Sequence, residues 1–187
     1  LNSVIQLFNG IDALRQHVTP DVKMHGIITK GGVAVNIVPD EAVADFYFRA
    51  STKERVTEVI EKVKKIAEGA ALMTGATLEM ERYELPYDDL KTNEKLSEMF
   101  NENLRALGIT DINPAKATGG SSDIGNVSHV APTIHPYIGI TDCPMVGHSV
   151  EMAKATTTNK AHDRLLIAAL AMAYTGYDVI VRNESLR

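Results

Sequence analysis

Residues 25–51, HGIITKGGVAVNIVPDEAVADFYFRAS, decide the fold of the first half of the chain. The stretch holds two segments of alternating apolar and polar side chains, separated by a glycine turn at residues 30–32. The first segment begins just upstream, and its alternating residues are Val22, Lys23, Met24, Ile28 and Thr29. In the second segment, one face holds Ala42, Ala44, Phe46 and Phe48, and the other holds Glu41, Asp45 and Arg49. Period-two alternation is typical of half-buried strands, so we predict two consecutive strands, with Pro39 at a bulge or at the start of the second.

Helical patterns flank these two strands. The upstream pattern ends before Pro20 and comprises Val4, Ile5, Phe8, Ile11 and Leu14. The downstream helix begins at a Ser51–Glu54 capping box and ends near Gly75, and residues 76–81 then alternate as a third strand. One further strand before Leu1 would complete a β-α-β-β-α-β unit. We therefore predict that residues 1–84 form a two-layer α+β sandwich lacking its first strand, within a chain of overall α/β class.

Residues 85–187 form the second predicted domain, after the break at residues 84–89. An amphipathic helix is expected near residues 96–107, a strand at residues 131–140, and a long apolar helix at about residues 158–175. A helix that is apolar on nearly every side is buried on most of its faces, which requires a covering sheet. The visible strands are too few for that sheet, so this domain is also expected to be part of a larger α/β domain.

Composition excludes several classes of protein. The net charge of −5 and the lack of a Lys/Arg block argue against nucleic acid or an anionic membrane as partner. No stretch is expected to span a bilayer. The single cysteine, Cys143, excludes a disulfide framework and indicates a reduced, cytoplasmic protein. The chain starts at Leu1 inside a helical pattern, which suggests a processed or truncated chain.

A glycine-rich loop, TGGSSDIGNV at residues 118–127, is one candidate ligand site. Paired glycines let backbone N–H groups approach an anion, and neighbouring hydroxyl and carboxylate groups add polar contacts. A solvated turn with local hydrogen bonds explains the same residues equally well. The loop matches neither a Gly-x-Ser-x-Gly nucleophile elbow nor a phosphate-binding Walker loop.

Three other side chains are candidates for chemistry. His148 lies in CPMVGHSVEM, a loop without periodicity, where it is either a metal ligand or a surface residue. A catalytic zinc needs about three protein ligands, and no His-x-Asp or His-Glu-x-x-His motif accompanies it. Asn36 either contacts a ligand carbonyl or caps the bulge at Pro39. His25 lies on the face of the first strand opposite Met24, where it is exposed or at a subunit contact.

Together these segments resemble the metal-dependent amidohydrolase and exopeptidase family, which includes aminoacylase, hippurate hydrolase and p-aminobenzoyl-glutamate hydrolase. Residues 25–51 resemble its lid, or dimerisation, domain. GGSSDIGNVSHVAPTIHPYIGI, residues 119–140, resembles the substrate loop and strand of its catalytic domain. The Gly-His-Ser loop before a long apolar helix is similar to the segment that carries the family's last metal ligand. The resemblance therefore implies a C-terminal fragment: most of the lid and the end of the catalytic domain.

The resemblance implies a site with two divalent metal ions, zinc or manganese, in the full-length enzyme. It implies that His148 is a metal ligand and that a substrate-binding loop contacts the substrate's free carboxylate. The loop residues so implied are Gly119, Gly120, Ser121 and Asp123. The family's other metal ligands and its general-base Glu precede the lid, so this chain alone is expected to be inactive and to bind no metal tightly.

In the lid, the resemblance implies that Asn36 binds the substrate carbonyl. It also implies that His25 is catalytic, stabilising the oxyanion in the partner protomer's site of a homodimer; His17 is the alternative. The implied reaction is hydrolysis of the amide bond of N-acyl amino acids or small peptides, such as p-aminobenzoyl-glutamate or a dipeptide.

Two other hypotheses stay open at this point. The chain could be a stand-alone small-molecule-binding or dimerisation module without catalysis. It could also be a serine hydrolase that uses Ser121 or Ser122 with Asp123 and a histidine.

Overall fold

A computed structural model describes residues 1–114, 121–182 and 186. The chain divides into two compact units, Leu1–Asp89 and Leu90–Arg187. The division lies after Asp89, whereas the predicted one lay after Glu84. Each unit is described below by itself.

The first unit contains two helices and a two-stranded antiparallel sheet. Its elements are α1 (Asn2–Leu14), a single 3₁₀ turn (Arg15–His17), β1 (Lys23–Lys30), β2 (Val43–Arg49) and α2 (Lys53–Thr74). The register pairs Lys23 with Arg49 and Gly26 with Phe46, with an irregularity between Ile28 and Lys30. The predicted order of helix, strand, strand and helix is confirmed, as is the α+β character of this domain.

One face of this sheet builds the core of the first unit. The fully or nearly buried members of the cluster come from both helices, from β1 and from the residue before it: Ile11, Leu14, Val22, Met24, Val59 and Val63. Phe46 and Phe48 of β2 pack against this cluster. Because alternate strand residues point to opposite faces, the same register leaves His25 and Tyr47 together on the outer face.

Helix α2 begins one residue later than its predicted cap. Thr52 is the N-cap, and its hydroxyl accepts a hydrogen bond from the Arg55 N–H at 3.3 Å. Ser51 does not cap the helix, because its backbone N–H and its hydroxyl both donate to the Asp21 carboxylate, at 3.0 and 2.8 Å. At the other end Gly75 adopts φ +70°, which glycine reaches without steric cost, and this confirms the predicted stop.

The third predicted strand, at residues 76–81, does not form. A strand is stabilised by ladder hydrogen bonds to a neighbour, and the sheet of the first unit, whose residues are all described, contains only β1 and β2. Of the alternating apolar residues, Leu78 alone is half-buried, and Met80 is exposed. Alternation in the sequence therefore gives the faces of a strand, but it cannot supply the neighbour.

The second unit is helical in the residues that the structure describes. Its helices are α3 (Glu94–Ala106), α4 (Ile124–Ser128), α5 (Val150–Ala155) and α6 (Asn159–Arg182). The strand predicted at residues 131–140 is reduced to one parallel bridge between Thr92 and Thr133. Pro132 and Pro136 have no N–H to donate, which weakens any longer ladder through this segment.

The long helix α6 is buried on one face only, so the prediction of burial on most faces was wrong. Ala171 is fully buried against Phe100 and Leu104 of α3. A polar contact accompanies this packing: the Asn103 amide donates to the Asp178 carboxylate at 2.9 Å. The opposite face exposes large apolar side chains, namely Leu165, Leu166, Met172, Tyr177 and Ile180.

By length and composition α6 is sufficient to cross a membrane, with a mean hydropathy of 1.5 over its most apolar window, contrary to the expectation from the sequence. This criterion is weak evidence, because core helices of soluble proteins also meet it. The uncharged stretch, residues 165–177, is shorter than the roughly 20 residues that a bilayer core requires. Together with the packing of Ala171 against α3, this favours a helix of a folded domain.

Candidate functional sites

The backbone at His148 is unusual for a residue with a side chain. Its φ of +56° lies in the left-handed region, and it is the one residue other than glycine with a positive φ in the described part of the chain. Such conformations carry strain and are concentrated at functional sites. The imidazole is exposed to solvent. An exposed side chain on a constrained backbone is available to a ligand.

Two features fix the loop that carries His148. The next residue, Ser149, is the N-cap of α5: its hydroxyl accepts from the Met152 N–H at 3.1 Å and donates to the Val146 carbonyl at 2.8 Å. Upstream, Asp142 forms an ion pair with Lys160 in the first turn of α6. The Lys160 hydrogen bond, and then its charge, lower the pKa of the Asp142 carboxyl, so Asp142 stays ionised at neutral pH.

The described residues do not by themselves form a metal site. Among residues 1–114, 121–182 and 186, no group of three His, Cys, Asp or Glu side chains is close enough to hold an ion. A catalytic zinc needs about three protein ligands and a structural one about four. His148 fits the role of a single ligand whose partners lie elsewhere, and no catalytic step through a metal follows from this chain alone.

Part of the predicted substrate loop lies within the described structure. Ser121 and Asp123 are exposed and precede the short helix α4, and Gly119 and Gly120 lie outside the described residues. The Ser122 hydroxyl accepts a hydrogen bond from the Ile124 N–H at 3.1 Å. That local bond explains Ser122 without a catalytic role, whereas Ser121 and Asp123 stay predictions.

The second unit also has a shallow depression of about 390 Å³ between residues 91–93, residues 128–132 and Leu186. The Lys91 N–H donates to the Ser128 hydroxyl at 2.9 Å, and the Asn93 amide donates to the Leu186 carbonyl at 2.6 Å. None of the predicted site residues lines it.

Asn36 lies at the apex of the loop between β1 and β2. The Ile37 N–H donates to the Ala34 carbonyl at 3.2 Å, which closes a turn with Val35 and Asn36 at its two corners. The Asn36 side chain is exposed. The apex position favours contact with a ligand over the alternative role of capping a bulge at Pro39.

His25 projects from the outer face of β1, directly across from Tyr47 of β2. Tyr47 in turn meets Tyr83 edge to face, with ring centroids 5.8 Å apart. A hydrogen bond to the Glu84 carboxylate, together with burial, raises the pKa of the Tyr47 phenol, so Tyr47 stays neutral and donates that bond. The alternative histidine, His17, is exposed in the 3₁₀ turn after α1.

Sequence reasoning missed two features beside these residues. The first is Tyr47, whose position opposite His25 follows only from the register of β1 and β2. The second is a set of exposed aliphatic side chains around Asn36, comprising Val33, Val35, Ile37 and Val38. A signal for the second was present, because four large aliphatic residues stand in a segment that has neither strand nor helix periodicity.

Comparisons with known proteins place these elements in a family. Residues 2–73 match the peptidase dimerisation domain. The whole chain is 33% identical to the human (Homo sapiens) and mouse (Mus musculus) Xaa-Arg dipeptidases, covering 43% and 44% of their lengths. It is also 25% identical to one of the subunits of p-aminobenzoyl-glutamate hydrolase from Escherichia coli (strain K12), covering 50% of that protein.

The chain therefore spans about half the length of the curated relatives it matches, or less, in agreement with the prediction that it is part of a longer protein. The predicted resemblance is confirmed at the level of the family: the chain carries a peptidase dimerisation domain and belongs with the peptidases and amidohydrolases to which it is homologous.

Proposed function

We propose that this chain is part of a cytoplasmic, metal-dependent hydrolase that cleaves the amide bond of a dipeptide or N-acyl amino acid with a free carboxylate. The observation that carries the proposal is the similarity of the whole chain, at 33% identity, to proteins named Xaa-Arg dipeptidase. Peptidases of this family are generally metal-dependent. In such a site two divalent ions, zinc or manganese, would polarise the scissile carbonyl and acidify a water molecule.

The residues of this chain would share the remaining tasks. His148 supplies one imidazole to the metal centre, and its left-handed backbone and the Ser149 cap fix its direction. Ser121 and Asp123, with Gly119 and Gly120, contact the substrate's carboxylate end. Such contacts orient a substrate, and orientation lowers the entropic part of the barrier.

The lid residues would act on the carbonyl. The exposed Asn36 amide donates to the substrate carbonyl oxygen, and His25, or alternatively His17, stabilises the oxyanion in the partner protomer of a homodimer. The match of residues 2–73 to a peptidase dimerisation domain supports this assembly.

The test replaces His148 in the full-length enzyme by asparagine, because asparagine tolerates a positive φ better than alanine does. We expect His148→Asn to lose bound metal and to lower kcat by about 100-fold or more, since even outer-shell changes cost 10–100-fold. His162→Asn is the matched control, because His162 is exposed on α6. Normal metal content in the His148→Asn protein would refute the ligand role.

A second candidate function is a stand-alone dimerisation or small-molecule-binding module without catalysis. The family match favours it, because residues 2–73 match a domain whose described role is dimerisation. Isothermal titration of the 187-residue chain with zinc and with Gly-Arg separates the two proposals. Specific dipeptide binding without metal, and no hydrolysis when the rest of the enzyme is present, would favour the module.

A further inference from the structure

The loop between β1 and β2 exposes an aliphatic cluster, defined here as Val33, Val35, Ile37 and Val38. Their exposed fractions are 88%, 109%, 54% and 88%. Single exposed aliphatic residues are ordinary, but four on one short loop form a patch of the kind that marks a binding surface. No charged residue lies between them, and Asn36 is the polar side chain at their centre.

The loop is held in shape without help from a partner. The Ala34–Ile37 hydrogen bond fixes its apex. At its base, Lys30 and Glu41 form an ion pair. Gly32 has φ +124°, a value that only glycine adopts freely, and this turns the chain toward Pro39. The branched side chains are also stiff about χ1, so contact with a ligand costs them little entropy.

The composition of the cluster distinguishes a ligand wall from a protein interface. Stable protein interfaces use about 20–30 residues on each side and favour aromatic residues, Met and Arg. The aliphatic cluster has four side chains and none of those types. Small-molecule sites, in contrast, are lined mainly by apolar side chains with a few polar groups that fix orientation, and Asn36 amid the cluster fits that description.

We propose that the aliphatic cluster forms the wall that contacts the acyl side of the substrate, and that it selects a substrate whose acyl or N-terminal residue is apolar. This inference rests on the proposed function. If the Asn36 amide binds the scissile carbonyl, Val35 at the other corner of the same turn lies beside the group attached to that carbonyl. Val35 is then a specificity-determining residue.

The experiment compares Leu-Arg and Gly-Arg as substrates of the full-length enzyme and of its Val35→Ser variant. A methylene in an apolar pocket changes kcat/KM by about 10-fold or more. We therefore expect Val35→Ser to lower kcat/KM for Leu-Arg about 10-fold and to leave that for Gly-Arg within about 2-fold. Val130→Ser is the matched control, since Val130 is 86% exposed and lies outside the aliphatic cluster.

The outcomes separate this inference from the proposal beneath it. Hydrolysis of both dipeptides with an unchanged preference in Val35→Ser overturns this inference alone. A change in oligomeric mass with an unchanged preference also overturns it and assigns the cluster to the dimer. Failure of the unmodified enzyme to hydrolyse either dipeptide overturns the proposed function and this inference with it. Because Val35 is fully exposed, its replacement removes no core contact, and the variant is expected to fold.

Discussion

Gly26 lies beneath an aromatic ring, and replacing it with alanine is the sharpest test of the packing in the first unit. Phe46 is its direct partner across the antiparallel pair. The same ring contacts Phe8 of α1, at a centroid distance of 4.8 Å, and Phe48, at 6.0 Å in a stacked arrangement. Any displacement of Phe46 therefore disturbs the contact between the sheet and α1.

The magnitude follows from the space above Gly26. A methyl group there would lie 2.8 Å from the Cζ atom of Phe46 and closer still to two other ring atoms, so the ring must move. Forcing an extra methyl into a packed core costs about 1–3 kcal/mol. Alanine regains about 0.5–1 kcal/mol over glycine through lower chain entropy when unfolded. We expect Gly26→Ala to lower the free energy of unfolding of the first unit by about 1–2 kcal/mol.

Hydrogen exchange of the β1 and β2 amides across a urea titration measures this quantity for the first unit separately. Gly69→Ala is the matched control, because Gly69 is inside α2 and a methyl group there meets no atom within 4 Å. The same substitution should therefore stabilise the unit at Gly69, by about 0.5–1 kcal/mol. The opposite signs exclude a generic effect of added hydrophobicity.

A double-mutant cycle completes the test. Phe46→Leu makes room for the new methyl group, so the Gly26→Ala cost should fall in its presence, with a coupling energy of about 0.5–3 kcal/mol. The reasoning fails if Gly26→Ala is as stable as the unmodified chain, or if its cost is the same with Leu at residue 46.

Three further predictions concern polar contacts. Hydrogen bonds from Thr19 and Ser51, and then Arg55, hold the pKa of Asp21 far below its ordinary 3.8. A depressed folded-state pKa stabilises the fold above the unfolded pKa and is lost as the pH falls through the folded one, so Asp21→Asn should flatten the loss of urea resistance between about pH 5 and pH 2; a parallel pH profile would contradict this. Asn103→Ala removes a buried donor between α3 and α6 and should lower the second unit's urea midpoint by about 1 kcal/mol equivalent, and an unchanged midpoint would count against the contact. Ser149→Ala removes the cap of α5, at about 1 kcal/mol, and should weaken metal binding by the full-length enzyme in an equilibrium titration.

The candidate site was partly predictable, because its residues differ from their surroundings in type. An asparagine in a strand-like stretch and a histidine in a loop without periodicity were both visible as departures from pattern. Their conformations were not visible. The left-handed backbone of His148 and the turn that places Val35 beside Asn36 depend on caps and hydrogen bonds formed by neighbouring residues. Sequence patterns that count apolar residues carry no information on these bonds.

The sequence by itself determined the helices and strands of the first unit, since the spacing of apolar residues sets which face of each is buried, and this local signal needs no partner. The tertiary structure decided what depends on a neighbour: residues 76–81 alternate like a strand but have no ladder, and α6 is apolar on most sides but is covered on one. It also decided that Ser51 binds Asp21 and leaves the cap to Thr52. The physical reason is that a side chain's preference is fixed by its own chemistry, whereas its satisfaction requires a second group that folding brings from elsewhere in the chain.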